Sequence, residues 1–530
     1  MQKGSILKGT LLSIILSSTL YGKLYPLNEI EKMPKSIARD YYIWRLLNES
    51  RPSEDEALKA YSLLSRKNYR VKKLIKKIVG DIPEKSLKRD PKNYIIYPEV
   101  AVKKSKSELK KLYSQILSEG RYSDVLKVMT SDNPFEAMKS VTPKTFCYIF
   151  NRCKVDYRER YLNHPISKDM LDRLVGERQF NQTIFKIVTT KSLDRLRYSL
   201  LDIDTDRLPF KSTFLLAINA VTFNKIDRAV EFLKIAKEKI DKQSSIDKCN
   251  FWLYLLTKDR EYLKLLRGSR QINIYTMRAR DILKLPYIKP KVPNLNFTLV
   301  KFFDLENPID WAYVKIGMRE HPETIEFLAD NYASSITEGI FAYLKEKASN
   351  YKVEYFAMPY RDGMIGKSRE RIALLYAIGR QESRFVPASI SPSYALGMMQ
   401  IMPFLVKHLA KEMGEKIDLD DMFNPYKSIK YADRHLDYLT KYLYHPLFIA
   451  YAYNGGIGFT RRTLRREELF KKGRYEPYLS MELVDYAESK EYAKKVLANY
   501  VIYYNLLGGE LRISELLKQL DNPLLTDKFR

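Results

Sequence analysis

Ile226-Asp227-Arg228-Ala229-Val230-Glu231-Phe232-Leu233-Lys234-Ile235-Ala236-Lys237-Glu238-Lys239-Ile240 sets the character of most of this chain. Ala229, Val230, Leu233, Ala236 and Ile240 recur at steps of three and four residues, while Lys234, Lys237, Glu238 and Lys239 fill the other face. That is the period of an amphipathic helix; a half-buried strand would alternate at every second residue. Residues 108–128, 167–187 and 211–222 read the same way, with breaks at Ser131-Asp132-Asn133-Pro134, His164-Pro165 and Leu208-Pro209. Helices with one apolar stripe each must stack on their neighbours to bury it, and no fixed repeat period is visible. Residues 23–285 are therefore expected to form an irregular helical superhelix. Pro286, Pro290 and Pro293 close that region, and residues 286–354 read as a helical linker domain. The last domain, 355–530, begins at Tyr355-Phe356-Ala357-Met358-Pro359-Tyr360, where glycine becomes frequent: 11 of the 20 glycines lie beyond residue 355. The expected fold class is all-α.

A chain of 530 residues has room for about three domains, which excludes a single small binding module. Hydrophobic residues at 45% and charged residues at 29% exclude wholesale disorder and a multi-span membrane protein. The formal charge of +28, from 92 basic and 64 acidic residues, favours a polyanionic partner: nucleic acid, anionic lipid or an acidic wall polymer. Residues 356–530 hold 27 basic and 21 acidic side chains, so most of the excess lies before them. Cys147, Cys153 and Cys249 are too few for a disulfide framework. A Cys147–Cys153 bridge and two buried free thiols are both open.

Residues 1–22 carry Lys3 and Lys8, then Leu11-Leu12-Ser13-Ile14-Ile15-Leu16, then small or polar residues ending at Gly22. This is the layout of a secretory signal peptide, too short to anchor a membrane span. Export removes nucleic acid from the list of partners. No Cys follows the apolar core, so no lipid anchor is expected.

The clearest chemical signal lies in the helix from about Lys367 to Arg384. On a wheel at ~100° per residue, Leu375, Ile378, Gly379 and Phe385 surround Glu382. A Glu on the core side of a helix is neutralised, paired, or at the edge of a cleft. Desolvation would raise its pKa toward that of a general acid. From the helix alone, such an acid and a buried Glu paired to an Arg are both open.

The residues beyond this helix narrow the choice. Gln381-Glu382-Ser383-Arg384-Phe385 leads to Ser391-Pro392, Gly397-Met398-Met399-Gln400-Ile401-Met402-Pro403, Met422-Phe423-Asn424-Pro425 with Tyr438-Leu439 downstream, Ala452-Tyr453-Asn454-Gly455-Gly456, and Glu488-Ser489-Lys490-Glu491-Tyr492. In this order they resemble the catalytic domain of the soluble lytic murein transglycosylases, over roughly residues 355–505. The departures are Gly455 in the Ala-Tyr-Asn-Ala-Gly turn, Glu491 in place of a usual Gly, and Tyr394 and Leu396 where smaller residues are common.

The resemblance implies a lysozyme-like α domain and a lyase that cuts peptidoglycan. It casts Glu382 as the catalytic acid and then base, with Gln400 and Met402 on the groove floor and Ser391 at the muramoyl substituents. Tyr453 and Asn454 would hold the reacting sugar, and Glu488 would be a second acidic residue of the cleft. Met402 and Tyr453 as plain core residues, and Glu488 as a surface ion-pair member, are the alternatives. Ordinary glycosidases flank the scissile bond with two carboxylates. In this family one suffices, because the N-acetyl oxygen of the substrate supports C1 and the muramoyl C6 hydroxyl closes a 1,6-anhydro ring. The implied partners are peptidoglycan glycan strands and wall-synthesis proteins, the compartment is the periplasm, and a monomer is expected. No metal or organic cofactor is expected, because the five histidines form no ligand spacing. A goose-type hydrolase and a non-catalytic glycan-binding scaffold are the competing readings.

Overall fold

The computed structural model describes residues 24–80, 96–115, 120–296 and 303–530; the signal-peptide reading falls outside them. Among the described residues the fold is all-α, with isolated β-bridges and no strand. None of the described helices is long and apolar enough to cross a membrane.

Sequence periodicity and structure agree at Phe210–Thr222 and Ile226–Glu238, each one helix. Ala229, Phe232, Leu233 and Ala236 of the second face inward. Two expected long helices are each divided. Residues 108–128 split between Lys106–Ser114 and Arg121–Thr130, the latter opened by Gly120 at φ 153. Residues 167–187 split into Lys168–Val175 and Phe180–Val188, because Gly176 ends the first. Side-chain caps mark many starts, including Ser167 on Met170 N–H and Thr142 on Thr145 N–H.

The chain packs into two compact units, each gathered from separate stretches. The larger takes, of the described residues, 96–115, 120–296, 318–386 and 432–530. In it consecutive helices between Phe180 and Ile282 pack on one another in turn. Cys147, Cys153 and Cys249 are free thiols buried there, and burial pushes each pKa up to about 12. The alternative of two buried free thiols therefore holds for Cys147 and Cys153.

The smaller unit joins, of the described residues, 24–80, 303–317 and 387–431. Its centre is the helix Ile37–Glu49, where Tyr41 and Trp44 pack on Tyr394 at ring distances of 6.2 and 5.5 Å. Beside them the Arg45 guanidinium meets Asp418 at 2.7 Å, Asp420 at 2.9 Å and Glu49 at 2.9 Å. Tyr394 and Leu396, two of the departures from the family pattern, are both buried in this unit. Tyr394 is thus a docking ring for the Ile37–Glu49 helix.

Candidate active site

The helix Arg369–Glu382 begins at Ser368, whose hydroxyl accepts from Arg371 N–H at 3.3 Å. It buries Ala373 through Arg380 and ends on Glu382. Leu375, Ile378 and Phe385 are buried as the periodicity required. The two arginines near its end are already taken: Arg380 donates to Glu346 at 2.8 Å and Arg384 pairs with the same buried carboxylate. Glu382 therefore has no cation among the groups that act on it. This decides against the buried Glu–Arg pair that the helix alone left open.

The partner Glu382 does have is a phenol. Tyr492 O–H donates to Glu382 Oε1 at 2.8 Å. Desolvation pushes the Glu382 pKa up to about 8; the Tyr492 hydrogen bond lowers it and the charge of Glu488 raises it. The residue retains partial exposure, so a substrate can reach it. Glu488 sits exposed in the first turn of the helix Ala487–Leu506. Tyr492 belongs to the same helix and is the site residue that sequence reasoning quoted without assigning a role. Its signal was available: it lies one helical turn beyond Ser489, on the same face.

Pro446–Gly455, the helix carrying Tyr453 and Asn454, packs on Ala487–Leu506. Ser489 Oγ donates to Asn454 Oδ1 at 2.5 Å, fixing the amide. Tyr453 stands close enough to Glu382 for the carboxylate to raise its phenol further, after burial. Gly455 is required by close approach: a Cβ there would lie 2.6 Å from both the Phe459 ring and Ser489 Oγ. The larger unit thus brings together Glu382, Tyr453, Asn454, Glu488 and Tyr492.

Ser391, Gln400 and Met402 belong to the smaller unit, on a hairpin-like segment bridged antiparallel at Ile390–Leu396 and Leu396–Ile401. Gly397 turns it at φ 73, and a Cβ there would sit 1.9 Å from Met422 O, so no other residue fits. Ser391 Oγ accepts from Ala395 N–H at 2.9 Å. Gln400 Nε2 donates to Gly397 O at 2.8 Å and Ser389 O at 3.1 Å, which uses both amide protons on its own loop. Its carbonyl oxygen is what the amide can offer a ligand. Met402 is the half-exposed N-cap residue of Pro403–Met413.

On the other face of Ala487–Leu506 lies a second enclosed carboxylate. Glu482 meets Lys248 at 2.8 Å and Lys494 at 2.8 Å, and accepts from Tyr275 O–H at 2.8 Å. Glu491, the departure from the family Gly, joins Lys494 at 2.9 Å and Lys248 at 3.2 Å. It closes an ion cluster between the helices Gln243–Thr257 and Ala487–Leu506. Burial works to raise the Glu482 pKa, but the lysines outweigh it and hold the carboxylate below its usual range.

Among the described residues no group of three or more His, Cys, Asp or Glu side chains is placed to hold a metal ion. His445 is buried, its Nδ1 accepting from Leu447 N–H and its Nε2 facing Leu516 O, and burial lowers its pKa to about 4.

Residues 364–475 match the family model described as Transglycosylase SLT domain. A putative soluble lytic murein transglycosylase of Haemophilus influenzae is 29% identical over 183 residues, covering 33% of this chain and 28% of the relative. The soluble lytic murein transglycosylase of Salmonella typhimurium is 30% identical over 161 residues, 29% of this chain and 24% of the relative. The chain thus spans about a quarter of the length of these curated relatives. Among solved structures, the lytic transglycosylase Slt of Pseudomonas aeruginosa, as an inactive mutant, is similar at TM-score 0.48 and 16% identity, covering 91% of this chain and 77% of that one. The 70 kDa soluble lytic transglycosylase of Escherichia coli is similar at TM-score 0.46 and 16% identity, covering 93% and 84%.

Proposed function

We propose, from the premise that residues 364–475 are a transglycosylase SLT domain, that the protein is a lytic transglycosylase cutting MurNAc-GlcNAc β-1,4 bonds of peptidoglycan. The observation that carries this reading is the desolvated carboxyl of Glu382, with a phenol on Oε1 and no cation beside it. Below pH ~8 the group is a carboxylic acid, matched to donating a proton near neutrality. Glu382 gives that proton to the glycosidic oxygen as the C1–O bond breaks, and the N-acetyl carbonyl oxygen of the same sugar bonds to C1. The carboxylate then takes the proton of the muramoyl C6 hydroxyl. C6–O bonds to C1 and displaces the acetamido oxygen, which closes the 1,6-anhydro ring and restores the acid. No water is consumed. Tyr492 holds the carboxyl in place, and Tyr453 and Asn454 face the sugar.

In this reading residues 1–22 are an export signal, 23–285 and 286–354 are the basic helical array and its linker, 355–530 are catalytic, and the protein works in the periplasm on glycan strands. The test is mass spectrometry of products released from purified sacculi by the wild type and by Glu382→Gln. 1,6-Anhydro-muramoyl ends from the wild type alone are expected. Reducing ends would make the protein a hydrolase. Retained binding with no cleavage by either form would make it a scaffold.

A further inference from the structure

Five aromatic rings run in unbroken contact from the candidate site outward. Tyr453, beside Glu382, touches His435 at 5.6 Å between ring centres. His435 stacks on Tyr438 at 6.3 Å, Tyr438 meets Tyr442 edge-on at 5.7 Å, and Tyr442 lies nearly parallel to Phe529 at 5.8 Å and 10°. His435, Tyr438 and Tyr442 are spaced three and four residues apart on the helix Pro425–Thr440 and the turn after it, so they share one face. The inner end is enclosed and the outer end open: Tyr438 is 41% and Tyr442 37% exposed.

The outer end is also held firmly. Lys528 N–H donates to Tyr442 O at 2.9 Å, and Tyr444 N–H to Thr526 O at 2.8 Å, sewing Pro523–Arg530 along the turn. Arg530 pairs with the buried Asp527 at 2.7 Å and donates to Phe470 O at 2.7 Å. Phe529 is therefore set against Tyr442 by its neighbours on both sides. Tyr438 and Tyr442 keep part of each ring open to solvent, and Phe529 is half-buried beside them.

We infer that the ridge Tyr438–Tyr442–Phe529 is an extended sugar-binding platform that carries the glycan strand away from Glu382. This rests on the lytic transglycosylase reading. A polymer whose scissile bond lies at Glu382 meets Tyr453 first, and each later ring is about one sugar residue further along. Flat aromatic faces take the apolar C–H face of a pyranose, and phenol hydroxyls reach its edge hydroxyls. Such stacking tolerates an unbranched repeating polymer in any register, which suits a wall glycan.

Chain-length dependence of binding tests it. In the full chain carrying Glu382→Gln, chitooligosaccharides of four and of eight sugars are titrated by calorimetry. The longer chain binds more tightly, and adding Tyr442→Ala reduces that length-dependent gain by about tenfold, whereas Tyr442→Phe retains it. Should Tyr442→Ala lose its melting transition, Tyr438→Gln, at an exposed position, makes the same measurement. An undiminished gain in the folded Ala or Gln variant overturns the platform, and so does equal loss in the Phe variant. Those results would leave Glu382-dependent cleavage of sacculi by the parent standing. Absence of that cleavage would instead overturn the activity on which the platform rests.

Discussion

Glu382 and Glu482 are both enclosed carboxylates on opposite faces of one helix, Ala487–Leu506, yet they are driven in opposite directions. Glu382 receives one phenol from that helix and no cation, and desolvation leaves it an acid. Glu482 receives Lys494 from the same helix and Lys248 from Gln243–Thr257, and remains an anion although it is the more deeply buried of the two. Burial therefore does not by itself make a general acid. The outcome is set by which neighbours already have partners: Arg380 and Arg384 are committed to Glu346, which keeps positive charge off Glu382. Glu346 and Glu482 are buried anions paired with cations, whereas Glu382 has none.

The two sites separate sharply when each loses an ionisable group. Glu382→Gln keeps shape but cannot give up a proton, so turnover of sacculi falls by a factor of about 10²–10⁴ with the fold intact at neutral pH. Full activity in that variant would break the assignment of the acid. At the other site, Lys248→Met strands Glu482 and Glu491 with one cation fewer. Breaking one partner of a buried pair costs about 3–5 kcal/mol, read as a lower denaturant midpoint. A loss under about 1 kcal/mol would put the cluster in the class of exposed ion pairs.

Tyr492→Phe gives a smaller and more diagnostic effect. Its hydroxyl stabilises the charged form of Glu382 and so lowers the pKa. Without it the pKa rises, and the alkaline limb of the rate profile moves above its wild-type position near pH 8. Turnover at neutral pH changes by less than about tenfold, the net value of one charge-assisted bond. An alkaline limb that moved down would mean that Tyr492 supports the neutral acid.

The contrast was half legible in the sequence. Glu382 stood out because Leu375, Ile378 and Phe385 place it on an apolar stripe within one helix, a pattern that needs only local spacing. Gly397 sat in a quotable motif for a reason the structure makes plain, the approach of Met422 O. Glu482 was silent. Its partners Lys248 and Tyr275 are distant in the chain, and Lys490 and Lys494 look like any solvated helix face. Glu491 drew notice only as a departure from a family Gly; its ion pairs needed the fold. Tyr394 likewise stands in the sequence only as a large residue where smaller ones are common; its contacts with Tyr41 and Trp44 need the fold. Periodicity reports which face is buried, and it carries no information on what a distant segment brings there.

The smallest expected effect is the pH dependence of stability, and its sign is opposite at the two sites. A carboxyl whose folded pKa is raised binds a proton in the folded state that the unfolded state has already lost, between its unfolded value near 4.5 and about 8. Stability therefore falls as pH rises through that window and is lowest above it. Glu382→Gln removes this cost. The variant should melt with the wild type at about pH 4 and above it by about 2 °C at about pH 9, a small margin because the carboxyl is partly exposed and solvent screens it. Glu482, held below its usual range by lysines, contributes stability that is present at neutral pH and lost on acidification. Glu482→Gln should accordingly lower the melting temperature at about pH 7 and approach the wild type as the pH falls. Calorimetric scans of both variants across pH read the two signs directly, and a Glu382→Gln variant less stable than the wild type at about pH 9 would show that its carboxylate is favourably solvated when charged.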